Sequence, residues 1–174
     1  MLSLLRQILD WIITLGVAVV LALGIKTYVA EARWIPSVSM EPTLTVGDHL
    51  LVDKLYYKHS GIGRRDIVVF RPTEASGFKD VMIKRVIGLP GDKIQVKHGL
   101  VYINGTPQAE PYEKEKPRED FGPVKVPANN YFVMGDNRNN SADSRFWGML
   151  PEQNLIGRAV LNYYPVGHWK LLTQ

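Results

Sequence analysis

The chain has no cysteine among its 174 residues. This absence excludes a thiol nucleophile, a zinc site built from thiolates and any disulfide. It does not decide the compartment, because a domain with a large enough core folds without disulfides on either side of a membrane. If the chain is an enzyme, its chemistry must therefore use oxygen or nitrogen side chains.

Patterns typical of metal sites and of nucleic-acid binding are also missing. None of the histidines falls in a metal-ligand spacing such as H-E-x-x-H; they are His49, His59, His98 and His168. The formal net charge is only +4, and basic residues are interspersed with acidic ones. The run 113–120 alternates in sign and contains a proline, which predicts a solvated loop. We therefore expect no metal ion and no nucleic-acid partner.

One segment near the amino terminus is strongly apolar. Residues 11–25 contain neither charge nor proline, although a spanning helix typically needs about 20 apolar residues. Lys26 follows directly, and its long side chain could carry the ammonium to the head groups. Trp11 and Trp34 bracket the segment and would lie roughly 35 Å apart along a helix, about the spacing of two aromatic belts. The sequence therefore predicts a membrane segment.

Composition leaves two interpretations of this segment open. Arg6, the apolar run and the Ala-Glu-Ala sequence at residues 30–32 are together typical of a cleavable secretory signal. The same features fit a permanent single-pass anchor. Orientation is weakly specified, because Arg6 on one side is balanced by Lys26 and Arg33 on the other. Under both interpretations the chain beyond Trp34 works outside the cytoplasm.

The remainder of the chain has short β-rich runs and turns, without a long 3.6-residue periodicity. We expect strands at residues 66–71, 81–89, 131–134 and 155–164, and a hairpin over residues 93–104 with its turn at His98-Gly99. Regular alternation of strands and turns predicts an antiparallel, mostly β domain.

A serine in a proline-bounded loop is the first candidate for chemistry. Ser39 lies between Pro36 and Pro42, and each proline ring fixes φ near −65°. A fixed backbone suits a nucleophile whose own amide helps to hold an oxyanion. Neither Ser39 nor Ser37 lies in a G-x-S-x-G elbow, which disfavours an α/β-hydrolase.

A serine nucleophile needs a base, and a lysine on a β-rich run is the best candidate. Strand alternation places Lys84 on the same face as Met82 and Val86. Burial among apolar neighbours lowers a lysine pKa and favours the neutral amine. An edge-strand lysine that discourages aggregation fits the same pattern. A Ser-His-Asp triad also stays open, although no histidine lies in a recognisable context.

A polar block follows the expected strand at residues 131–134. Residues 135–145 are rich in asparagine, aspartate, serine and arginine. They fit a surface turn, but such a density of hydrogen-bonding groups could instead orient a catalytic group. An aspartate and an arginine two residues apart could pair and brace the turn.

Three of these stretches resemble signature boxes of the bacterial type I signal peptidases, the Ser/Lys-dyad leader peptidase family. The stretches are residues 39–44, 84–92 and 135–145, and they follow a hydrophobic segment in the family's order; residues 66–71 resemble a fourth box. The resemblance implies a membrane-bound serine endopeptidase that removes signal peptides from exported preproteins. Such enzymes cleave after a small residue with another small residue two positions before it, through an acyl-enzyme and without a cofactor.

The resemblance also implies roles for single residues. Ser39 would be the nucleophile and Lys84 its general base. The Ser39 amide and the Ser37 hydroxyl would form the oxyanion hole, and Ser141 would hydrogen-bond and orient Lys84. Asp143 and Arg145 would brace that arrangement by a salt bridge. The substrate pocket would comprise Ile35, Met40, Leu44 and Met82 around the first side chain, with Ile83 toward the second.

The family organisation implies three parts, namely a short cytoplasmic tail at residues 1–9, a transmembrane anchor at 10–30 and an extracytoplasmic peptidase domain at 31–174. The domain would be the antiparallel β-rich fold shared with LexA-like Ser/Lys proteins, anchored by a single helix in the plasma or inner membrane. Expected partners are preprotein signal peptides and membrane lipid, with no nucleic acid and no obligate protein partner. A single hydrophobic segment and the absence of a large insertion give no basis for carrying over a second transmembrane helix or a second β subdomain.

Two rival interpretations differ in what they require. A soluble LexA-like protein that cleaves mainly itself would be expected to carry a DNA-binding domain or a soluble tail in place of residues 11–25. A catalytically idle β domain that binds exported peptides predicts the loss of Ser39 or Lys84, and both residues are present.

Overall fold

A computed structural model describes residues 2–172 and has one long helix followed by a β-rich domain. The helices are α1 Leu2–Gly24, α2 Tyr57–Ser60 and α3 Ser144–Trp147. The first strands are β1 Ala30–Trp34, β2 His49–Asp53, β3 Ile67–Phe70, β4 Met82–Gly88, β5 Lys93–Lys97 and β6 Leu100–Ile103. The last strands are β7 Thr106–Pro107, β8 Phe121–Lys125, β9 Asn130–Met134, β10 Leu150–Pro151, β11 Leu155–Tyr164 and β12 Lys170–Leu171.

The helix α1 continues into a π-helical stretch, Ile25–Val29, and together they carry the apolar segment. Residues Arg6–Val29 are long and apolar enough to cross a membrane by length and composition, and none of that segment is buried by the protein itself. At 1.5 Å per residue its 24 residues extend about 36 Å. The helix begins at Leu2, so it includes most of the expected tail, and Ala30 already belongs to β1.

The main sheet is antiparallel and has the strand order β1-β2-β11-β3-β4-β9-β10, with β12 added to β11. This confirms the mostly β, antiparallel fold class. Strand β11 has the expected bounds of residues 155–164, and β3, β4 and β9 lie within one residue of theirs. The strands β1 and β2 were not predicted, because five-residue segments beside an apolar helix and a proline-rich loop carry little period-2 signal.

A smaller sheet has the order β7-β6-β5-β8. Its centre is the expected hairpin, which turns at His98 and Gly99 with φ values of 51° and 73°. The strand β8 contains a Gly-Pro pair, a combination that normally indicates a turn and hides a strand from pattern analysis. The chain therefore has a second, smaller sheet, although it lacks the large insertion from which a second β subdomain would be inferred.

Three apolar clusters connect the sheets to the loops that carry the candidate residues. One of them contains Ile35, Met40 and Leu44 from the segment between β1 and β2, together with strand residues Leu50, Ile67 and Ala159 and with Leu172. Ile83 of β4 packs against the same cluster. The loop that carries Ser39 is thus pinned to the sheet by its own apolar residues on both sides.

The charged run 113–120 is only partly the solvated loop that its sequence predicts. It contains no regular element, and most of its residues are exposed. However, Pro117 is buried and Glu113 reaches the buried guanidinium of Arg138 at 3.3 Å. The prediction was wrong for Glu113, because the arginine that attracts it lies 25 residues away and cannot be inferred from local pattern.

Candidate active site

Ser39 lies in a single 3-10 turn, Val38–Met40, with its side chain almost completely buried. Asn137 of the polar block holds this turn through two hydrogen bonds. Its backbone amide donates to the Ser39 carbonyl and its side-chain amide donates to the Val38 carbonyl, both at 3.1 Å. Two hydrogen bonds from one residue fix consecutive carbonyl groups. The backbone of the candidate nucleophile therefore has little freedom.

Gly135 explains why the polar block can approach this turn so closely. A Cβ atom at that position would overlap the Ser39 carbonyl oxygen and the Ser141 hydroxyl oxygen. Only glycine leaves room for the backbone contact between the polar block and the Ser39 turn. The first residue of the polar block is therefore part of the site without contributing a side chain.

Lys84 reaches Ser39 from the middle of the main sheet. Its Nζ donates a 2.7 Å hydrogen bond to Ser39 Oγ, and only 4% of the lysine is exposed. Burial lowers the pKa of Lys84 to about 8, although the carboxylates of Asp143 and Asp136 act in the opposite direction. Because the Lys84 side chain is buried and does not lie at a solvent-exposed edge, its interpretation as a lysine that discourages aggregation was wrong.

Ser37 lies beside the candidate nucleophile. Its Oγ is 3.3 Å from Ser39 Oγ, in an extended backbone conformation just before the 3-10 turn. The two hydroxyls and the Lys84 amine thus form one continuous polar group. The Ser37 hydroxyl therefore lies next to the Ser39 hydroxyl, as a shared oxyanion hole would require.

Ser141 lies next to the site but does not make the expected contact. It is 8% exposed, and among the described residues its Oγ has no hydrogen-bond partner. The expected hydrogen bond to Lys84 is therefore not formed in this structure, because the hydroxyl packs against Gly135 instead. An orienting role for Ser141 stays a prediction.

Asp143 and Arg145 form the expected ion pair. Arg145 approaches the carboxylate through Nε and Nη2, each at 2.8 Å, and Asp143 is fully buried. The second carboxylate oxygen also accepts the Gly135 amide at 3.1 Å. Because Gly135 contacts the Ser39 carbonyl, this ion pair supports the backbone that faces the dyad.

A second buried ion pair was not anticipated. Arg85, the residue after Lys84, makes two hydrogen bonds to Asp136, from Nε at 2.8 Å and from Nη2 at 2.6 Å. The Arg85 guanidinium lies over the Tyr112 ring, with its Cζ 4.0 Å from the ring centroid. Each buried carboxylate near Lys84 is thus paired with an arginine, so its charge is compensated inside the protein. No sequence signal joins Tyr112 to Arg85, since 27 residues separate them.

A third arginine extends this network. Arg138 is 1% exposed, and its Nη1 lies 2.6 Å from Glu110, while its Nε donates to the Gly135 carbonyl at 3.1 Å. Arg145 in turn donates to the Arg138 carbonyl at 2.5 Å. The arginines of the polar block therefore act on its backbone as well as on carboxylates.

A cleft of about 360 Å³ opens onto the dyad. It is lined by four of the five expected pocket residues, namely Ile35, Met40, Met82 and Ile83. Leu44 is not among the residues that line it; it is fully buried in one apolar cluster with Ile35 and Met40, and its place in the substrate pocket stays a prediction. Phe78 and Asp80, which were not singled out, lie along the same cleft.

Within residues 2–172 no group of three or more histidine, aspartate or glutamate side chains is arranged to hold a metal ion. His168 instead pairs with Asp48 at 2.8 Å. Burial alone would raise the pKa of Asp48, but hydrogen bonds from His168 and Thr45 lower it. His49 packs edge-on against Tyr163 and Tyr164. These contacts account for both histidines as structural side chains.

Comparison with known proteins gives a consistent result. A family model described as "Signal peptidase, peptidase S26" matches residues 8–164. Signal peptidase I of Leptolyngbya laminosa is 54% identical over 164 residues, covering 91% of this chain and 81% of the relative. Probable signal peptidase I-2 of a Synechocystis strain is 51% identical, covering 92% and 75%. A crystal structure of a signal peptidase I from Enterococcus faecalis has 30% identity and a TM-score of 0.49, covering 56% of this chain and 95% of that one.

The burial of Lys84 leads to a prediction about stability. Because its folded-state pKa of about 8 lies below the unfolded value of about 10.4, the unfolded chain binds more protons between these pH values. Stability from this group is therefore lowest below pH 8 and rises toward pH 10.4. Lys84→Met removes the penalty and should raise the free energy of unfolding by about 3 kcal/mol at pH 7.

Thermal unfolding of both proteins at pH 7 and pH 10 checks this, with Lys97→Met on the exposed face of β5 as the matched lysine control. The stabilisation should shrink at the higher pH for Lys84→Met only. A Lys84→Met protein that is less stable than wild type at pH 7 would contradict the burial penalty.

Proposed function

Because the chain belongs to the peptidase S26 family of signal peptidases, we propose that it removes signal peptides from preproteins with Ser39 as nucleophile and Lys84 as general base. One observation carries the assignment of these two residues. It is the 2.7 Å hydrogen bond between Lys84 Nζ and Ser39 Oγ at the floor of an apolar cleft. No other lysine and serine of the expected boxes are joined in this way among the described residues.

The substrate binds as an extended strand beside β4. Strand β9 pairs with β4 from Arg85 to Gly88 only. The edge of residues 82–84 that faces away from β3 therefore borders the cleft, opposite the wall formed by residues 35–38. A peptide added to this edge would satisfy its backbone groups, and alternate side chains would enter the apolar pocket. Its scissile carbonyl would come to rest at Ser39.

The hydrogen bond between Lys84 and Ser39 defines the path of the proton in each catalytic step. Neutral Lys84 accepts the hydroxyl proton of Ser39 as the oxygen attacks the scissile carbonyl. The resulting ammonium then protonates the leaving amine and an acyl-enzyme remains on Ser39. Lys84 next accepts a proton from water, which attacks the ester and releases the signal peptide. A pKa of about 8 keeps enough neutral amine present at neutral pH for the first step.

The oxyanion is held by the Ser39 amide and the Ser37 hydroxyl. The 3-10 turn and its hydrogen bonds from Asn137 orient the amide, and Ser37 lies within 3.3 Å of the nucleophilic oxygen. Donors fixed before the reaction stabilise developing charge without reorganisation. Ser141 would orient Lys84 after a rotation of its hydroxyl away from Gly135, and the pair Asp143–Arg145 would support this part of the site.

The pocket favours small side chains by exclusion. Ile35, Met40 and Met82 wall it, and Ile35 and Met40 are held in one apolar cluster with the buried Leu44. Ile83 faces the second side chain along the substrate. A larger side chain would overlap these walls, which selects alanine-like residues at the cleavage site and two positions before it.

Membrane association follows from the family and the apolar helix. We further propose a single-pass topology in the plasma or inner membrane, with residues 1–9 in the cytoplasm, residues 10–30 as anchor and residues 31–174 outside. Membrane lipid is then a partner of the anchor, and the preprotein meets the enzyme on one surface. Confinement of both to that surface raises their effective concentration.

The dyad is tested by single substitutions. Ser39→Ala and Lys84→Ala should each abolish cleavage of a preprotein, because nucleophile and base act as one unit. Lys97→Ala, on an exposed strand position, serves as the control and should keep full activity. Cleavage by detergent-solubilised enzyme is followed on gels. If Lys84→Ala retained a large fraction of the wild-type turnover, the Ser/Lys assignment would be wrong.

Ser37 is tested by kinetics. Ser37→Ala removes a donor that acts mainly in the transition state, so kcat should fall by about 10²–10³-fold with little change in KM. Ser37→Thr keeps the hydroxyl and should recover much of the rate. Steady-state cleavage of a signal-peptide mimic gives both constants. An unchanged kcat, or a defect confined to KM, would remove Ser37 from the oxyanion hole.

A further inference from the structure

One end of the cleft carries a charge and an aromatic ring that the proposed catalysis does not use. These two residues, Phe78 and Asp80, are called the acidic rim below. Apart from the buried Lys84, Asp80 is the only charged residue that lines this cleft in the part of the chain that the structure describes. The carboxylates that raise the pKa of Lys84 are those of Asp143 and Asp136, which belong to the polar block. Asp80 is therefore available to act on the substrate.

The side chains of the acidic rim are not engaged elsewhere in the protein. Asp80 is exposed and takes part in no ion pair within residues 2–172. Phe78 is half exposed, and its ring is paired with no other ring over the same residues. Lys79 lies between them in the sequence, but it is exposed and is not among the residues that line the cleft. The rim thus presents a carboxylate and an aromatic face to whatever occupies the cleft.

The loop that carries Phe78 is held in place by hydrogen bonds. The Ser76 hydroxyl donates to the Thr73 carbonyl at 2.6 Å and accepts from the Phe78 amide at 3.3 Å. The side-chain amide of Asn154 donates to the carbonyl groups of residues 71 and 72, at 3.1 Å and 3.3 Å. The ring therefore lies on a fixed part of the cleft wall before any substrate binds.

The direction of the substrate follows from where the cleft ends. Ser39 and Lys84 mark the scissile bond, and from Arg85 onward β9 occupies this edge of β4. The pocket residues on the β4 side, Met82 and Ile83, both precede Lys84. The two small substrate residues before the bond therefore lie along the part of the cleft that leads back toward the start of β4. The substrate runs parallel to β4, and its earlier residues extend to the acidic rim.

Spacing assigns one substrate position to the acidic rim. Asp80 lies four residues before Lys84. This corresponds to about 13 Å along an extended backbone at roughly 3.3 Å per residue, so the fourth or fifth substrate residue before the bond lies there. Side chains of an extended peptide alternate, so the fifth shares a face with the first and the third, which enter the apolar pocket. The fifth residue before the bond is therefore the one whose side chain faces Asp80.

We propose that the acidic rim selects a basic side chain at the fifth residue before the scissile bond. The proposal rests on the proposed function and deepens it. The Asp80 carboxylate attracts a lysine or arginine and repels an acidic side chain, and the exposed Phe78 ring adds a cation–π contact. Because the rim is remote from the reacting atoms, it stabilises bound substrate and transition state equally, and the preference lies in KM and not in kcat.

Signal-peptide mimics that differ at one residue test the preference. One set carries Lys, Gln or Glu at the fifth residue before the bond, and a second set carries the same three residues at the fourth, whose side chain points away. An exposed ion pair changes affinity by roughly up to fivefold and repulsion acts in the opposite direction, so wild-type kcat/KM should be about tenfold higher for Lys than for Glu at the fifth residue. The second set should show nearly equal values. In about 1 M salt, where the screening length is about 3 Å, the difference should largely disappear.

Variants of the enzyme assign the preference to the acidic rim. Asp80→Asn should remove most of the ratio between the Lys and Glu mimics, and Asp80→Lys should invert it. Phe78→Leu should lower kcat/KM for the Lys mimic relative to the Gln mimic by roughly twofold. Glu74→Gln removes an acidic residue of the same loop that does not line the cleft, so this matched control should keep the wild-type ratio. Ratios measured on one enzyme preparation cancel differences in the amount of folded protein.

Four results would overturn the proposal. They are equal kcat/KM for the Lys and Glu mimics with wild-type enzyme, the same preference at the fourth residue, a preference that survives in Asp80→Lys, and a loss of ratio in Glu74→Gln as large as in Asp80→Asn. Cleavage of the Gln mimic by wild-type enzyme is the baseline. Its failure, together with failure on a preprotein, would count against the proposed function itself.

Discussion

The site depends on one contact, a lysine amine held out of water against a serine hydroxyl. Lys84 Nζ and Ser39 Oγ are 2.7 Å apart on residues that are both nearly fully buried. Burial makes the ammonium costly and the neutral amine available, so the same desolvation that destabilises the fold provides the neutral amine that the proposed base requires. The rest of the architecture serves to bring a sheet residue and a loop residue together there and to keep water out.

That contact constrains the charges around it. Asp136 and Asp143 raise the pKa of Lys84, yet each is held by an arginine, Arg85 in one case and Arg145 in the other. The arginines limit how strongly the carboxylates favour the ammonium, and they fix the backbone that faces Ser39. Loss of either arginine would leave an unpaired buried carboxylate beside the base, with a pKa of Lys84 shifted back toward its ordinary range.

The sequence was most informative where chemistry and local pattern coincide. The β4 run predicted a strand with Lys84 on an apolar face but left an exposed edge lysine open, and three stretches that resemble family boxes singled out Ser39, Lys84 and the Asp143–Arg145 pair. Long-range partners could not be predicted, because nothing local joins Tyr112 to Arg85 or Glu110 to Arg138. The full burial of Leu44 was likewise not predicted, because the sequence position of a residue does not show whether it contacts a cleft or packs against the residues that line it.

The most direct test is the titration of Lys84 itself. Protein labelled with ¹³C at the lysine ε-carbon is titrated by NMR in detergent, and the Lys84→Arg variant identifies the signal. The account predicts that the Lys84 signal titrates near pH 8, well below the reference value of about 10.4 for a lysine in a model peptide. A Lys84 signal that titrates at or above that reference value would contradict the buried-amine mechanism.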